Sequence, residues 1–175
     1  VIGLLIFLAY ATTPIVARRL GSGNRPGAIS AVIDGLWLAL GLGVGLGILG
    51  YAITPLVVSW FGAVSDVSAG AVSYPTISWW GLPGMLLVIA ATGLMRGLQD
   101  ARTPLWIALA GFASNAVLNA VLIYGLGWGL VGSAVGTVIA QWGMAAVFVA
   151  LVTREARTHE VSLAPGVLGI QAAAR

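Results

Sequence analysis

RTPLWIALAGFASNAVLNAVLIYGLGWGLVGSAVGTVIAQWGMAAVFVALVTR, residues 102–154, runs from one arginine to another with no ionisable side chain between them except the phenol of Tyr124. A helix needs roughly 20 apolar residues to cross hydrocarbon. This stretch is long enough to cross twice, over Pro104 to Tyr124 and Leu130 to Val152, turning at the uncharged GLGWG of residues 125–129. Inside hydrocarbon each backbone N–H and C=O must be satisfied within the segment, so both crossings are read as helices.

The same reading extends upstream. Further apolar segments cover residues 1–17, about Ala28 to Phe61 and about Ala71 to Met95, giving five crossings. The expected fold is therefore all-α, a polytopic integral membrane helix bundle. Hydrophobic residues make up 59% of the chain and charged residues only 7%, against about 25% charged in ordinary soluble domains, and the mean hydropathy is +1.03. The segment from Ala28 to Phe61 exceeds one upright span, so it should tilt or run past the headgroups at its Asp34 end.

The basic residues, all arginine, sit in short clusters: Arg18, Arg19 and Arg25; Arg96 and Arg102; Arg154 and Arg157; and the final Arg175. Loops with arginine alternate with loops without it, because GAVSDVSAG at 62–70 carries only Asp66 and GLGWG carries no charge. The positive-inside rule then places loops 18–27 and 96–103 and the C-terminal tail in the cytoplasm and the first residue outside. The net charge of +3 reads as membrane anchoring rather than nucleic-acid binding, because the arginines flank apolar runs. The chain opens inside an apolar segment, with neither a start methionine nor the basic region of a signal peptide, and a further helix is expected upstream.

No catalytic constellation is present. There is one histidine, His159, in the tail; there is no cysteine, no acidic pair within a span and no Gly-rich loop with a lysine. An enzyme, a resident metal and a bound cofactor are accordingly not expected. GLGVGLGILG, residues 41–50, pairs Gly41 with Gly45 and Gly43 with Gly47, a spacing that favours close helix contact. Pro83, beside Gly81 and Gly84, is the expected kink. Trp79, Trp80, Trp128 and Trp142 fit either an aromatic pocket or the interfacial belt that tryptophan forms in membranes, and Trp128 reads as an anchor.

The polar residues inside spans are the candidate site. Asn115 and Asn119 are four apart and so share one helix face. Counting ~1.5 Å per residue from the outer end puts Asn119 about 8 Å deep and Thr137, on the next helix, about 10 Å deep. Asn115 and Gln141 fall near the midplane, and Tyr74 stands at the outer start of its helix, where it could close the group. Interhelical hydrogen bonding, about 0.6 kcal/mol each, explains such residues singly. A depth-matched group of five points to a hydrated cavity.

RGLQDARTP (96–104), followed by SNAVLNAVLIYGLGWGLVGSAVGTVIAQ (114–141), resembles the multidrug and toxic compound extrusion (MATE) family, nearest its DinF-like bacterial branch. The signature residues are Arg96, Gly97, Asp100, Arg102 and Pro104. The resemblance implies helices two to six of the N-terminal lobe of a twelve-helix, two-lobed transporter. On it, residues 1–153 are the bundle, lacking its first helix, and residues 154–175 a cytoplasmic connector to a covalently continuous C-terminal lobe. It implies a cation-coupled (H+ or Na+) multidrug efflux antiporter working by alternating access in the bacterial inner membrane, exporting amphipathic cationic small molecules, with the lipid bilayer as its other partner. Tyr74, Asn115 and Thr137 match residues of the family's coupling pocket, and Asn119 stands where an aspartate is expected. An amide cannot take up a proton in this range, so the resemblance leaves any titrating group to the helix upstream. A lipid-linked oligosaccharide flippase shares the fold, but it would call for basic residues in its cavity and here each arginine lies at a membrane edge. A non-transporting scaffold subunit, in which the polar residues merely pack, is the other alternative.

Overall fold

The structure, a computed structural model, describes residues 14–60 and 73–165. In these, α1 covers residues 14–21, α2 is Arg25–Trp60, α3 is Ser73–Gly97, α4 is Arg102–Gly125 and α5 is Gly129–Thr158. Of these, α2 to α5 are long and apolar enough to cross a membrane. The expected first crossing lies outside the described residues except for 14–17, which open α1, and the loop carrying Asp66 lies wholly outside them.

Local chemistry sets the helix ends. α1 stops at Gly23, whose φ of +75° is the left-handed conformation glycine adopts freely. Asn24 then caps α2, its Oδ1 accepting the Gly27 N–H at 2.8 Å. Pro26 sits in the first turn, where a missing N–H costs nothing. Arg19 folds back so that Nη1 donates to the Gly27 carbonyl at 2.7 Å, tying α1 to α2. With 36 residues at ~1.5 Å each, α2 is about 54 Å long, well beyond the ~30 Å of hydrocarbon.

Two apolar clusters hold the bundle together. Near the arginine-rich end, Val16, Ile29, Val32, Ile33, Met95, Phe148 and Val152 pack from α1, α2, α3 and α5. Further along, Ala39 of α2 and Ala145 of α5 meet Leu86, Leu87 and Ala90 of α3. The alanines let the backbones approach, which is how helices gain contact when lipid offers no hydrophobic drive. By contrast α4 turns Leu105, Trp106, Leu109, Phe112 and Val117 outward, an apolar face suited to lipid.

The glycine run behaves differently from its expectation. A Cβ on Gly43 would lie 2.5 Å from the Pro83 Cα, and one on Gly47 3.1 Å from the Trp79 carbonyl oxygen, so this pair packs on α3. Gly41 and Gly45 meet nothing within 4 Å. Residues two apart point to nearly opposite sides of a helix, so one element can offer only one of the two pairs to α3.

The kink expected at Pro83 lies just before it. Trp79–Gly81 is a 3₁₀ turn within α3. Pro83 has no N–H to give the Trp79 carbonyl four residues back, and its ring crowds that oxygen. The Leu82 N–H bonds Trp79 O instead, an i to i+3 bond that tightens the turn. A second irregularity, a π turn over Ala120–Gly125, follows Asn119 directly and ends α4. The spans read as Pro104 to Tyr124 and Leu130 to Val152 thus correspond to α4 and α5, and α5 runs past Arg154 to Thr158. The segment after it turns back, and the Trp37 Nε1 donates to the Leu163 carbonyl at 3.0 Å.

The loop between α3 and α4 is held by one carboxylate. Asp100 Oδ1 accepts the N–H groups of Arg102 and Thr103, both at 3.0 Å, and so starts α4. Hydrogen bonding from Thr103, side chain and backbone, with help from the Arg102 N–H and charge, holds its carboxyl below the ordinary aspartate value of 3.8. A lowered folded value means that this contribution is present in full above pH 3.8 and is lost as pH falls through the lowered value. Asp100→Ala should therefore lower the Tm at neutral pH, and the gap to the parent should shrink in a melting series taken into acid.

Candidate functional site

The site is built where α4 and α5 lie close. Glycines make that approach possible: a Cβ on Gly132 would come 3.0 Å from the Leu122 backbone, and one on Gly136 2.6 Å from Asn119 Oδ1. Helical spacing puts Asn115 and Asn119 on the α4 face opposite Thr137 of α5.

These three form a directed chain. The Thr137 hydroxyl donates to the Ser133 carbonyl at 2.9 Å. Asn115 Nδ2 donates to Thr137 Oγ1 at 3.3 Å, and Asn119 Nδ2 donates to Asn115 Oδ1 at 2.9 Å. Each donor points one way along the chain, so an acceptor is left at its end. That atom, Asn119 Oδ1, is buried without a hydrogen-bond partner among the described residues. A buried unpaired acceptor costs ~1–3 kcal/mol, and this one is packed toward Gly136 of α5. The Asn115 and Asn119 amide oxygens and the Thr137 hydroxyl oxygen are neutral oxygen atoms, the donor type that hard cations take. Among the described residues no ionisable side chain belongs to this chain of contacts, and no group of three or more His, Cys, Asp or Glu could hold a metal.

The other two expected members stand apart. Gln141 is one turn beyond Thr137, but it faces α3, its Oε1 lying where a Cβ on Gly81 would be. Tyr74, in the first turn of α3, is 37% exposed, and among the described residues its backbone carbonyl accepts from the Ser78 hydroxyl. Depth alone had grouped them; the hydrogen-bonded set is Asn115, Asn119 and Thr137.

The signature residues serve the α3–α4 junction. Arg96 and Arg102 are exposed, Gly97 and Pro104 are buried, and Asp100 caps α4. Trp79, Trp80 and Trp142 surround one cavity, while Trp128 sits apart at the start of α5. A second, aliphatic cavity of about 270 Å³ lies between α2, α3 and α5, lined by Ile33, Leu36, Leu87 and Val149 among others. It shares no lining residue with the polar chain.

Long apolar helices, an alanine and glycine packed core and a buried polar site between two spans define a polytopic α-helical membrane protein. The chain belongs to the MatE family, which it matches over residues 1–121. It is similar to "DNA damage-inducible protein F" of Escherichia coli strain K12, 29% identical over 91% of this chain and 35% of the relative. It is also similar to a "probable multidrug resistance protein NorM" of Pasteurella multocida, 31% identical over 82% of this chain and 32% of the relative. Among solved structures it resembles the outward-facing conformation of a multidrug resistance MATE family transporter of the MOP superfamily, with a TM-score of 0.81 at 25% identity over 97% of this chain and 39% of that one. The chain thus spans about a third of the length of the curated relatives it matches.

Proposed function

We propose that the chain supplies most of the N-terminal lobe of a multidrug efflux antiporter, driven by H+ or Na+ and working by alternating access between two lobes. In this reading loops 18–27 and 96–103 and the C-terminal tail face the cytoplasm of a bacterial cell, the tail leads to the second lobe, and the exported compounds are amphipathic cations.

The observation that carries the reading is the unpaired Asn119 oxygen at the end of the Asn115–Thr137 chain. A site used only for packing would close its hydrogen bonds, since hydrocarbon supplies no partner. This one ends in a buried, unpaired acceptor, which a coupling cation admitted between α4 and α5 would satisfy and then release. Carboxamides and a hydroxyl ligate Na+ as they stand but hold no proton near neutral pH. Na+ coupling therefore uses the residues present, and H+ coupling requires an acid contributed from outside the described residues. The family relationship supports the transport reading, and the names of the relatives support drug export.

Asn115→Ala in the full-length protein should reduce ion-driven export in proteoliposomes and the drug resistance of expressing cells, by roughly tenfold for a lost ligand of ~1.4 kcal/mol. Tyr74→Ala is the companion variant, because a tyrosine outside the hydrogen-bonded set should matter less. Full transport by Asn115→Ala at normal expression would remove the polar chain from the mechanism.

A further inference from the structure

We propose that Tyr51, Trp79, Trp80 and Trp142 form an aromatic seat for the head of an organic cation. The cavity they surround measures about 200 Å³ and is completed by Val44, Gly47, Ile48 and Pro83. An engineered cavity of ~150 Å³ holds benzene, so this volume accepts a quaternary ammonium or small aryl head with the remainder of the molecule outside.

Interfacial anchoring does not account for Trp79 and Trp142. An anchor keeps its indole N–H for water or headgroups. Here Trp79 Nε1 donates to Thr54 Oγ1 at 2.9 Å, and Trp142 Nε1 donates to the Trp80 carbonyl at 2.8 Å. Both donors are spent on protein, so both rings are fixed across helix contacts, one between α2 and α3 and one between α3 and α5. The Trp79 berth is built for the purpose: Gly50 leaves the room its ring occupies, and Thr54, one turn on, accepts its N–H while donating to the Gly50 carbonyl at 2.7 Å. Aromatic rings held in place around a cavity offer π electrons, whose negative potential attracts cations, tryptophan most strongly.

The aliphatic cavity is an internal contrast. Its lining is mostly Ile, Leu and Val with a single tryptophan, as suits an acyl chain, whereas half of the aromatic cavity's eight lining residues carry rings. Among the described residues no charged side chain lines either one, so the selectivity of the seat comes from ring quadrupoles. The seat also adjoins the polar chain. Gly81, next to Trp80, lies against Gln141, which is next to Trp142 and one turn from Thr137.

As a substrate subsite the seat rests on the efflux reading, but its binding is measurable without transport. The experiment is equilibrium binding of benzyltrimethylammonium to the full-length protein in detergent, beside its neutral isostere neopentylbenzene. Saturable binding of the cation at least about tenfold tighter than the isostere is expected. Trp80→Leu and Tyr51→Leu, at exposed positions where folding tolerates change, should each weaken cation binding several-fold and leave the isostere unaffected. Trp128→Leu, outside the cavity, should leave cation binding as it was. Equal binding of cation and isostere, or cation binding unmoved by both Trp80→Leu and Tyr51→Leu, would overturn the seat. Loss of transport coupling in Asn115→Ala with the seat intact, or the reverse, separates the two readings.

Discussion

Gly43→Ala should destabilise the protein and Gly41→Ala should not, although the two positions are two residues apart in one uninterrupted apolar helix. The Gly43 Cβ would arrive 2.5 Å from the Cα of Pro83, a backbone atom that no rotamer change can move aside. Restoring an ordinary contact of ~3.5–4.0 Å means parting α2 from α3 by about 1 Å. The same displacement lifts Trp79 from Gly47 and Gly50 and strains its bond to Thr54. Overpacking of this kind costs ~1–3 kcal/mol, which outweighs the gain of up to ~1 kcal/mol from replacing a helical glycine with alanine. At Gly41 nothing lies within 4 Å and only the gain remains. Thermal unfolding of both variants in the full-length protein should give shifts of opposite sign. A melting temperature for Gly43→Ala at or above the parent's would show that the α2–α3 contact is looser than drawn here.

That contrast shows what the sequence could and could not reveal. Arginine clusters and apolar length located the helices, because crossing hydrocarbon imposes a length and a charge asymmetry on the chain itself. The four-residue spacing of Asn115 and Asn119 fixed a shared face, and depth counting brought Thr137 level with them. Depth gives a height along a helix but no azimuth. That is why Gln141, on the same strip of α5 as Thr137, proved to face α3, and why Tyr74 stayed outside the hydrogen-bonded set. Similarly, a four-residue glycine spacing names two possible seams, and the choice between them depends on where α3 lies. Pro83 announced a break, but only its carbonyl partner four residues back locates the 3₁₀ turn at Trp79–Gly81. The π turn after Asn119 has no residue that announces it. The pairings of Trp79 with Thr54 and of Trp142 with Trp80 join residues 25 and 62 apart, beyond any local pattern.

Asn119→Asp should make transport by the full-length protein depend on pH and raise its affinity for the coupling cation. A carboxylate cannot donate to Asn115 Oδ1 as the present amide does at 2.9 Å, and two acceptors would face each other. The Asn115 carboxamide can turn over, directing Nδ2 at position 119 and Oδ1 at Thr137. The Thr137 hydroxyl, which now donates to the Ser133 carbonyl, would then donate to Asn115 instead. The chain keeps both internal hydrogen bonds and reverses its direction. What changes is the free end: the buried oxygen that is now neutral and unpaired becomes part of an anion. An ionised carboxylate buried without a partner costs several kcal/mol, and a bound cation or a proton removes most of that cost. Na+ affinity should rise by at least about tenfold, equivalent to ~1.4 kcal/mol, and protons should compete for the same oxygen. Proteoliposome transport measured across pH, with and without a Na+ gradient, would show the parent's pH profile replaced by one in which acid displaces Na+. An unchanged profile and unchanged Na+ dependence would mean that the open acceptor of Asn119 lies outside the ion path, and the coupling site would then have to be sought away from α4.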